Sequence, residues 1–344
     1  MIDVEHSRVL LRWWVIAALV LVGTVLGGLS IGPVSIGIGD IWATITSHIP
    51  GAGAAGTVSQ AHQAIIWDIR LPRVLLGVLV GGMLATAGAA YQGVFRNPLA
   101  DPYLLGVAAG AGLGATLAIA IGGGGSALLP VAAFLGAVVA ASITYAVGAA
   151  GSRGNTVTSL ILSGVAVAAF LTAAQTYVQQ RNSETLREVY SWILGRLSTA
   201  GWSEVRSVLP YVFVASTILF ALRRMLDVLA LGDEEATALG LPVTRIRLIV
   251  VAAATLGTAA VVAVSGLIGF VGIVIPHLLR LLFGASYRLL IPLSFFGGGA
   301  FLVAADLFAR IAIPPAELPI GVITAFLGAP FFALILRTRP GVAR

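Results

Sequence analysis

The sequence has no cysteine, no lysine and few charged residues of either sign. Without cysteine, neither a disulfide framework nor a thiolate metal site can form. Charged residues make up only 10% of the 344 positions, whereas a soluble domain carries about 25%. All 20 basic residues are arginines, which we attribute to the composition of the genome rather than to chemistry. These shortages exclude an ordinary soluble domain.

In place of charge, the chain has long apolar runs. Hydrophobic residues make up 58% of it, and its mean hydropathy is +1.02. A membrane-spanning helix needs about 20 apolar residues, and a backbone in hydrocarbon must satisfy its own hydrogen bonds. We therefore predict an all-α polytopic membrane protein, with residues 1–344 forming a single transmembrane domain and the first run a span rather than a signal peptide. The ten predicted spans are residues 9–31, 66–94, 103–121, 127–149, 157–178, 207–222, 248–265, 267–283, 289–309 and 319–336.

The arginines divide unevenly between the two sides of the predicted membrane. With a cytoplasmic N-terminus, 13 of the 20 arginines lie inside and 7 outside. Because basic residues favour the cytoplasmic side, we expect both termini in the cytoplasm. The arginines form no basic patch, so nucleic acid is not an expected partner.

Three predicted loops are long. Residues 32–64 are external, with room for a short helix near residues 41–49, and residues 179–206 are the most polar external stretch. The cytoplasmic loop 223–247 has an acidic, helix-like middle that ends in Gly-Leu-Pro. A short amphipathic helix in this loop fits either an interfacial anchor or a docking element for a partner.

Few ionisable residues lie within or beside the spans. Asp306 and Arg310 are four residues apart, so they share a helix face and are expected to form an ion pair near the external end. A proton relay needs several acids at mid-membrane depth, which argues against a secondary transporter driven by an ion gradient. Arg70 and Arg73 flank the outer start of the second span. They fit either snorkelling to lipid headgroups or contact with an anionic partner.

The remaining motifs point away from metal and nucleotide chemistry. His277 is a lone histidine without a second residue at metal-ligand spacing. The glycine clusters lack the lysine of a phosphate-binding loop, so we expect no enzymatic activity, and any uphill transport must be driven by another chain. Asn97-Pro98 breaks the second span at its inner end, either as a simple turn or as a constriction of a pathway.

Three stretches carry a resemblance to a known family. They read RLPRVLLGVLVGGMLATAGAAYQGVFRNPLADPYLLGVAAGAGLGA, SGLIGFVGIVIPHLLRLL and AELPIGVITAFLGAPFFALIL, and the similarity runs from about residue 60 to the C-terminus. The chain resembles the FecCD-type permeases of binding-protein-dependent ABC importers for iron-siderophores, haem and cobalamin. The resemblance implies a type II importer permease with ten helices, located in the cytoplasmic membrane and working by alternating access.

The resemblance also implies partners and a class of substrate. The expected partners are a second copy of the chain in a homodimer, two cytoplasmic ABC ATPase subunits, an external substrate-binding protein and membrane lipid. ATP and Mg²⁺ would bind the ATPases, and no cofactor or metal is expected in this chain. The substrate would be an iron chelate (a ferric siderophore or haem) or cobalamin, and a secondary transporter remains the alternative function.

Finally, the resemblance assigns roles to particular positions. Arg70, Arg73 and Arg310 would dock the binding protein, where arginine forks could meet carboxylates. Asn97, Leu99, Val157 and Thr158 would form a cytoplasmic gate. The fifth span would line the pathway, although ordinary helix packing explains its small residues equally well. The ATPase-coupling contact would involve Gly232, Asp233, Glu234, Glu235, Ala238, Leu239, Gly240, Leu241 and Pro242.

Overall fold

The computed structural model describes residues 2–49, 58–122, 127–151 and 156–338. Within these ranges the chain is helical and contains no β-strand. A π-helical turn, Ile65–Arg70, joins α3 to α4, and a 3-10 turn, Ser183–Thr185, precedes α8. The α-helices in chain order are α1 (Ile2–Ser30), α2 (Ile38–Ser47), α3 (Gln60–Ala64), α4 (Leu71–Val94), α5 (Val107–Ala120), α6 (Leu128–Gly151), α7 (Thr156–Arg181), α8 (Leu186–Ile193), α9 (Trp202–Leu229), α10 (Asp233–Ala238), α11 (Val243–Ser265), α12 (Val271–Phe283), α13 (Tyr287–Ile311) and α14 (Ile320–Thr338).

Each of the ten predicted spans corresponds to an apolar helix. In the described chain, seven helices are long and apolar enough to cross a membrane, with α3, the π-helical turn and α4 counted as one. Three shorter apolar helices, α5, α12 and α14, complete the ten. The prediction of an all-α, multi-pass membrane protein is confirmed. The short helix expected near residues 41–49 is α2.

Several helix boundaries differ from the predicted spans by four residues or more. α1 begins at Ile2, α11 at Val243 and α12 at Val271, where residues 9, 248 and 267 were expected. The third span was expected from residue 103, but α5 begins only at Val107. The preceding residues 95–106 contain Pro98 and Pro102, which cannot donate helical hydrogen bonds, and Gly106 is left-handed with a φ of 78°. Conversely, α9 extends beyond the predicted residues 207–222 at both ends. Its last turns occupy the beginning of the cytoplasmic loop, so that residues 230–242 alone connect α9 to α11.

Helix α4 lies at the centre of the bundle. It packs against α1, α9, α11, α12 and α13, and most of its residues are buried. Gly81 faces Gly298 of α13, and Gly88 faces Gly272 of α12, so closely that a Cβ on either α4 glycine would overlap the opposite backbone. Small residues permit this approach of helix to helix. α4 therefore runs through the core and connects the two ends of the molecule.

Helices α5, α6 and α7 form a second group beside this core. Gly110 of α5 meets Gly136 of α6 at backbone contact distance, and α7 packs against both helices. The outer side of α7 is apolar and uncovered by the described chain. Leu162, Val165 and Phe170 are 65%, 63% and 72% exposed there. This face is therefore free to contact lipid or another subunit.

Candidate functional site

The predicted external end of the bundle holds a buried group of ionised side chains. Arg73 of α4 binds Asp306 of α13, with Nη2 2.8 Å from Oδ1 and Nε 3.0 Å from both carboxylate oxygens. The same guanidinium donates from Nη1 and Nη2 to Glu317, at 3.0 and 2.9 Å. Charge-assisted bonds of this kind are among the strong ones in proteins. Arg73 is thus saturated by two carboxylates of its own chain.

Arg310 joins the same group from the last turn of α13. Its Nε lies 3.2 Å from Oδ2 of Asp306, which confirms the ion pair expected from their spacing. Its Nη2 also donates to the carbonyl of Gly28 in α1, at 3.1 Å. Arg310 is 6% exposed and Asp306 is 2% exposed. The pair therefore ties α1 to α13 inside the bundle.

The guanidinium of Arg70 binds backbone carbonyls at the C-terminal end of α1. Its Nη1 donates to the carbonyls of Leu29 and Ser30, at 2.6 and 3.1 Å, and its Nη2 donates to the carbonyl of Val34. These carbonyls belong to the helix terminus and the loop after it, where acceptors lack partners within the helix. A cation at this position also complements the helix dipole. With 4% exposure, Arg70 does not snorkel to the surface.

We call Arg70, Arg73, Asp306, Arg310 and Glu317 the arginine cluster. The structure brings together the three arginines that the resemblance assigns to docking, and it buries their side chains. Glu317 is the member whose side chain reaches outwards, with 40% exposure. Sequence reasoning missed it. The available signal was its position in the AELPIG stretch, which carries part of the family resemblance.

At the opposite end of α4, Asn97 and Leu99 share one turn. The Asn97 side chain accepts a hydrogen bond from the backbone N–H of Leu99, at 2.9 Å, and the Asn97 N–H donates to the carbonyl of Gln92. This Asx-type turn is favourable for asparagine before proline. Gln92 in turn accepts from Arg280 of α12, at 2.9 Å. We call residues 97–99 the Asn97 turn; it is anchored to the ends of two helices.

The other two predicted gate residues lie at the start of α7. Val157 is half-buried and Thr158 is exposed. The neighbouring Ser159 hydroxyl donates to the carbonyl of Gly148 in α6, at 2.8 Å, which fixes this end of α7 to α6. The structure therefore divides the four gate candidates between two elements, the Asn97 turn and the first turn of α7.

The predicted coupling segment contains the short helix α10. Gly232 precedes the helix with a φ of 140°, and Ala236 is buried beneath it. The remaining predicted positions are exposed or half-buried: Asp233, Glu234, Glu235, Ala238, Leu239, Gly240, Leu241 and Pro242.

Two large apolar side chains flank α10 on the surface. Leu231 and Leu239 are 63% and 67% exposed. An exposed apolar patch with a polar rim is typical of a contact with another protein or with the membrane. The composition of this segment thus fits a docking element.

A cavity of about 450 Å³ opens on the inner side of α7, towards the segment before α5. Its wall is mixed apolar and neutral polar, without a charged residue. The polar lining residues are Tyr103, Thr172, Gln175, Thr176, Gln179 and Tyr190. A wall of hydroxyl and amide groups can contact a large polar solute without holding it through a full charge. This supports the interpretation of α7 as a pathway helix.

Asp101 is a half-buried carboxyl in the connecting segment between α4 and α5, two residues before Tyr103 of the cavity wall. Its Oδ1 accepts a hydrogen bond from the N–H of Tyr103, at 2.7 Å. Burial raises the pKa of Asp101 to about 6, and the hydrogen bond opposes this rise. The Tyr103 hydroxyl donates to the carbonyl of Ile268, at 3.0 Å. This contact fixes the non-helical segment to the break between α11 and α12.

The chain is similar to known proteins over most of its length. Residues 18–338 match the FecCD transport family. The chain is 44% identical over 283 residues, covering 82% of its length and 76% of the relative, to the cobalamin import system permease protein BtuC of Halobacterium salinarum. It is 39% identical over 333 residues, covering 93% and 94%, to the hemin transport system permease protein HmuU of Yersinia pestis.

A solved structure extends the comparison to the fold. It is an inward-facing conformation of an ABC transporter of the metal-chelate type, and the two chains are 29% identical. The superposition has a TM-score of 0.82 and covers 96% of this chain and 99% of the other. The ten-helix type II importer permease fold is therefore present over almost the whole chain.

Proposed function

Because the chain belongs to the FecCD transport family, we propose that it forms half of a pathway for a bulky metal chelate. The chain is a permease subunit of an ABC importer, as the family and the similar structure indicate. The observation that carries the substrate proposal is the similarity, over nearly the whole chain, to a transporter of the metal-chelate type. We propose a ferric siderophore, haem or cobalamin as the substrate. The neutral polar wall beside α7 suits any of these large solutes.

We further propose that this subunit works only in an assembly. No phosphate-binding loop occurs in the sequence, so ATP and Mg²⁺ would bind two cytoplasmic ABC ATPase subunits, and no cofactor is needed in this chain. The exposed face of α7 would meet a second copy of the chain in a homodimer. Both termini and α10 would lie in the cytoplasm, with Leu231 and Leu239 contacting an ATPase.

At the external end, the arginine cluster supports docking of a substrate-binding protein. Arg70, Arg73 and Arg310 carry three positive charges against the two negative charges of Asp306 and Glu317, so the cluster keeps a net charge of about +1 and attracts a carboxylate. We propose that a carboxylate of the binding protein takes the place of Glu317 at Arg73. Asp306 would hold Arg73 in position during the exchange, because it binds the inner side of the guanidinium.

Transport would then proceed by alternating access. ATP binding would draw the ATPases together and displace α10. The Asn97 turn and the first turn of α7, with Val157 and Thr158, would open or close the inner end of the pathway. Since α4 joins the arginine cluster to the Asn97 turn through a close-packed core, docking and gating would be linked by one rigid helix.

Reconstitution tests this proposal. The permease, its ATPase and its binding protein would be placed in proteoliposomes, and uptake of ferric siderophore, haem and cobalamin would be measured with and without ATP. We expect ATP-dependent uptake of one of them, which persists with an uncoupler and stops when the Walker lysine of the ATPase is replaced. Uptake that collapses with the uncoupler and ignores the Walker substitution would support a secondary transporter.

A further inference from the structure

The carboxylate of Asp233 joins three separate elements on the predicted cytoplasmic side. It accepts from Arg247 near the start of α11, with Nη2 2.8 and 3.0 Å from its two oxygens. It also lies 3.4 Å from Nη2 of Arg96, which follows the last turn of α4 and directly precedes Asn97. One side chain of α10 thus connects the segment proposed to meet the ATPase with the residue beside the proposed gate.

We propose that Asp233 is a positioning residue that transmits the displacement of α10 to the Asn97 turn through Arg96. The inference rests on the proposed function, since it takes α10 as the ATPase contact and the Asn97 turn as part of the gate. It goes further by naming the contact through which the two communicate.

The backbone of Arg96 has an unusual conformation directly before the Asn97 turn. Arg96 has a φ of 49°, a left-handed conformation that is unfavourable for a residue with a side chain. The ion pair with Asp233 links the side chain of this residue to α10, and the next residue is Asn97. When the pair loosens, the backbone of Arg96 can relax and the Asn97 turn can change its position.

The packing around Gly232 places the Arg96 side chain against α10. A Cβ at Gly232 would lie 3.5 Å from Nη1 of Arg96 and would overlap the carboxylate of Glu235. The guanidinium therefore lies across the N-terminal end of α10, where acidic residues are also favoured by the helix dipole. A movement of this end of α10 must shift or release Arg96.

The two ion pairs of Asp233 differ in length and in burial, so one can break while the other is kept. The Arg247 side chain is 7% exposed and lies 2.8 Å from Asp233, so this is the shorter and better buried of the two pairs. In contrast, the side chains of Arg96 and Asp233 are 42% and 44% exposed, and their separation is longer. Exposed pairs of this kind are weak and can form in one state and break in another. Asp233 thus has one buried partner and one exchangeable partner.

Labelling of a single introduced thiol can test the proposal. Because the chain has no cysteine, Leu99→Cys provides one reactive group in the Asn97 turn. The full transporter, with ATPase and binding protein, would be labelled with a membrane-impermeant maleimide, with and without ATP and Mg²⁺. We expect the labelling rate to change with nucleotide. In Arg96→Gln and in Asp233→Asn that change should fall to less than half, and uptake per ATP hydrolysed should drop at least threefold.

Two further variants separate this role from a structural one. Asp233→Glu keeps the charge and should restore the nucleotide response. Arg245→Gln removes an exposed arginine from the first turn of α11 and should retain the response of the unsubstituted protein. If Asp233→Asn fails to assemble with the ATPase, Arg96→Gln still gives the answer, since it leaves the pair between Asp233 and Arg247 in place.

The outcomes distinguish the inference from the proposed function. A normal nucleotide response and normal coupling ratio in Arg96→Gln would overturn the role of Asp233 while ATP-driven uptake stands. Equal impairment in Arg96→Gln and Arg245→Gln would also overturn it, because a general loss of positive charge would then be the cause. If the unsubstituted transporter shows no ATP-dependent uptake, the proposed function is wrong. The role of Asp233, which depends on that function, is then wrong as well.

Discussion

Replacing Asp306 by asparagine should loosen the arginine cluster at its centre. Asp306 binds Arg73 through both oxygens and also pairs with Arg310, and all three side chains are at most 8% exposed. Removing one partner of a buried ion pair costs about 3–5 kcal/mol, because a buried charge loses its counterion. Asparagine keeps one acceptor oxygen, and Glu317 still pairs with Arg73. We therefore expect the lower end of the range, about 3 kcal/mol.

The free energy of unfolding can be measured in mixed detergent micelles by titration with a denaturing detergent. The six tryptophans provide the fluorescence signal. Glu317→Gln is the matched control, because Glu317 binds the same guanidinium but its side chain is 40% exposed. Exposed pairs contribute less than about 1 kcal/mol, so this variant should remain close to the unsubstituted protein.

The two variants together test whether burial sets the strength of the ion pairs in the arginine cluster. If Asp306→Asn lowers the free energy of unfolding no more than Glu317→Gln does, burial does not determine the strength of the pairs in this cluster. The conclusion that Asp306 holds α4 and α13 together would then be wrong.

Further predictions concern other parts of the molecule. Because burial raises the pKa of Asp101 to about 6, ionisation above this pH opposes folding; Asp101→Asn should raise the melting temperature at pH 8, and the gain should disappear near pH 4. Gly88→Val should abolish folded expression, since its Cβ would overlap the backbone of Gly272, whereas Gly23→Val, with open space around Gly23, should express normally. Glu317→Gln should tighten the complex with the binding protein several-fold in surface plasmon resonance at low salt, because Arg73 loses its internal competitor; unchanged affinity would contradict the proposed exchange of carboxylates.

The sequence contained most of the information needed for the fold. The length of the apolar runs alone located the ten spans, because the hydrocarbon layer imposes both the length and the composition of a span. The pair of Asp306 and Arg310 was also predictable, since four residues on one helix fix the geometry. The misplaced ends were the starts of α1, α5, α11 and α12 and both ends of α9.

The burial of the docking candidates could not be predicted in the same way. Arg73 and Asp306 are 233 residues apart, and Arg70 reaches carbonyls about 40 residues earlier. Spacing along one helix cannot predict pairs between residues so far apart in sequence. For Arg70 and Arg73, the sequence was therefore compatible with both snorkelling and external docking. The left-handed Arg96 and its contact with Asp233 were likewise invisible, because they depend on how α4 and α10 meet at the end of the bundle.

ATP-driven import through this permease is tested most directly by substrate uptake into vesicles that contain the reconstituted assembly. Uptake is compared between intact ATPase and an ATPase with its Walker lysine replaced. We expect a ferric siderophore, haem or cobalamin to accumulate in the vesicles only with intact ATPase, ATP and the binding protein. Equal accumulation with the disabled ATPase would contradict this expectation.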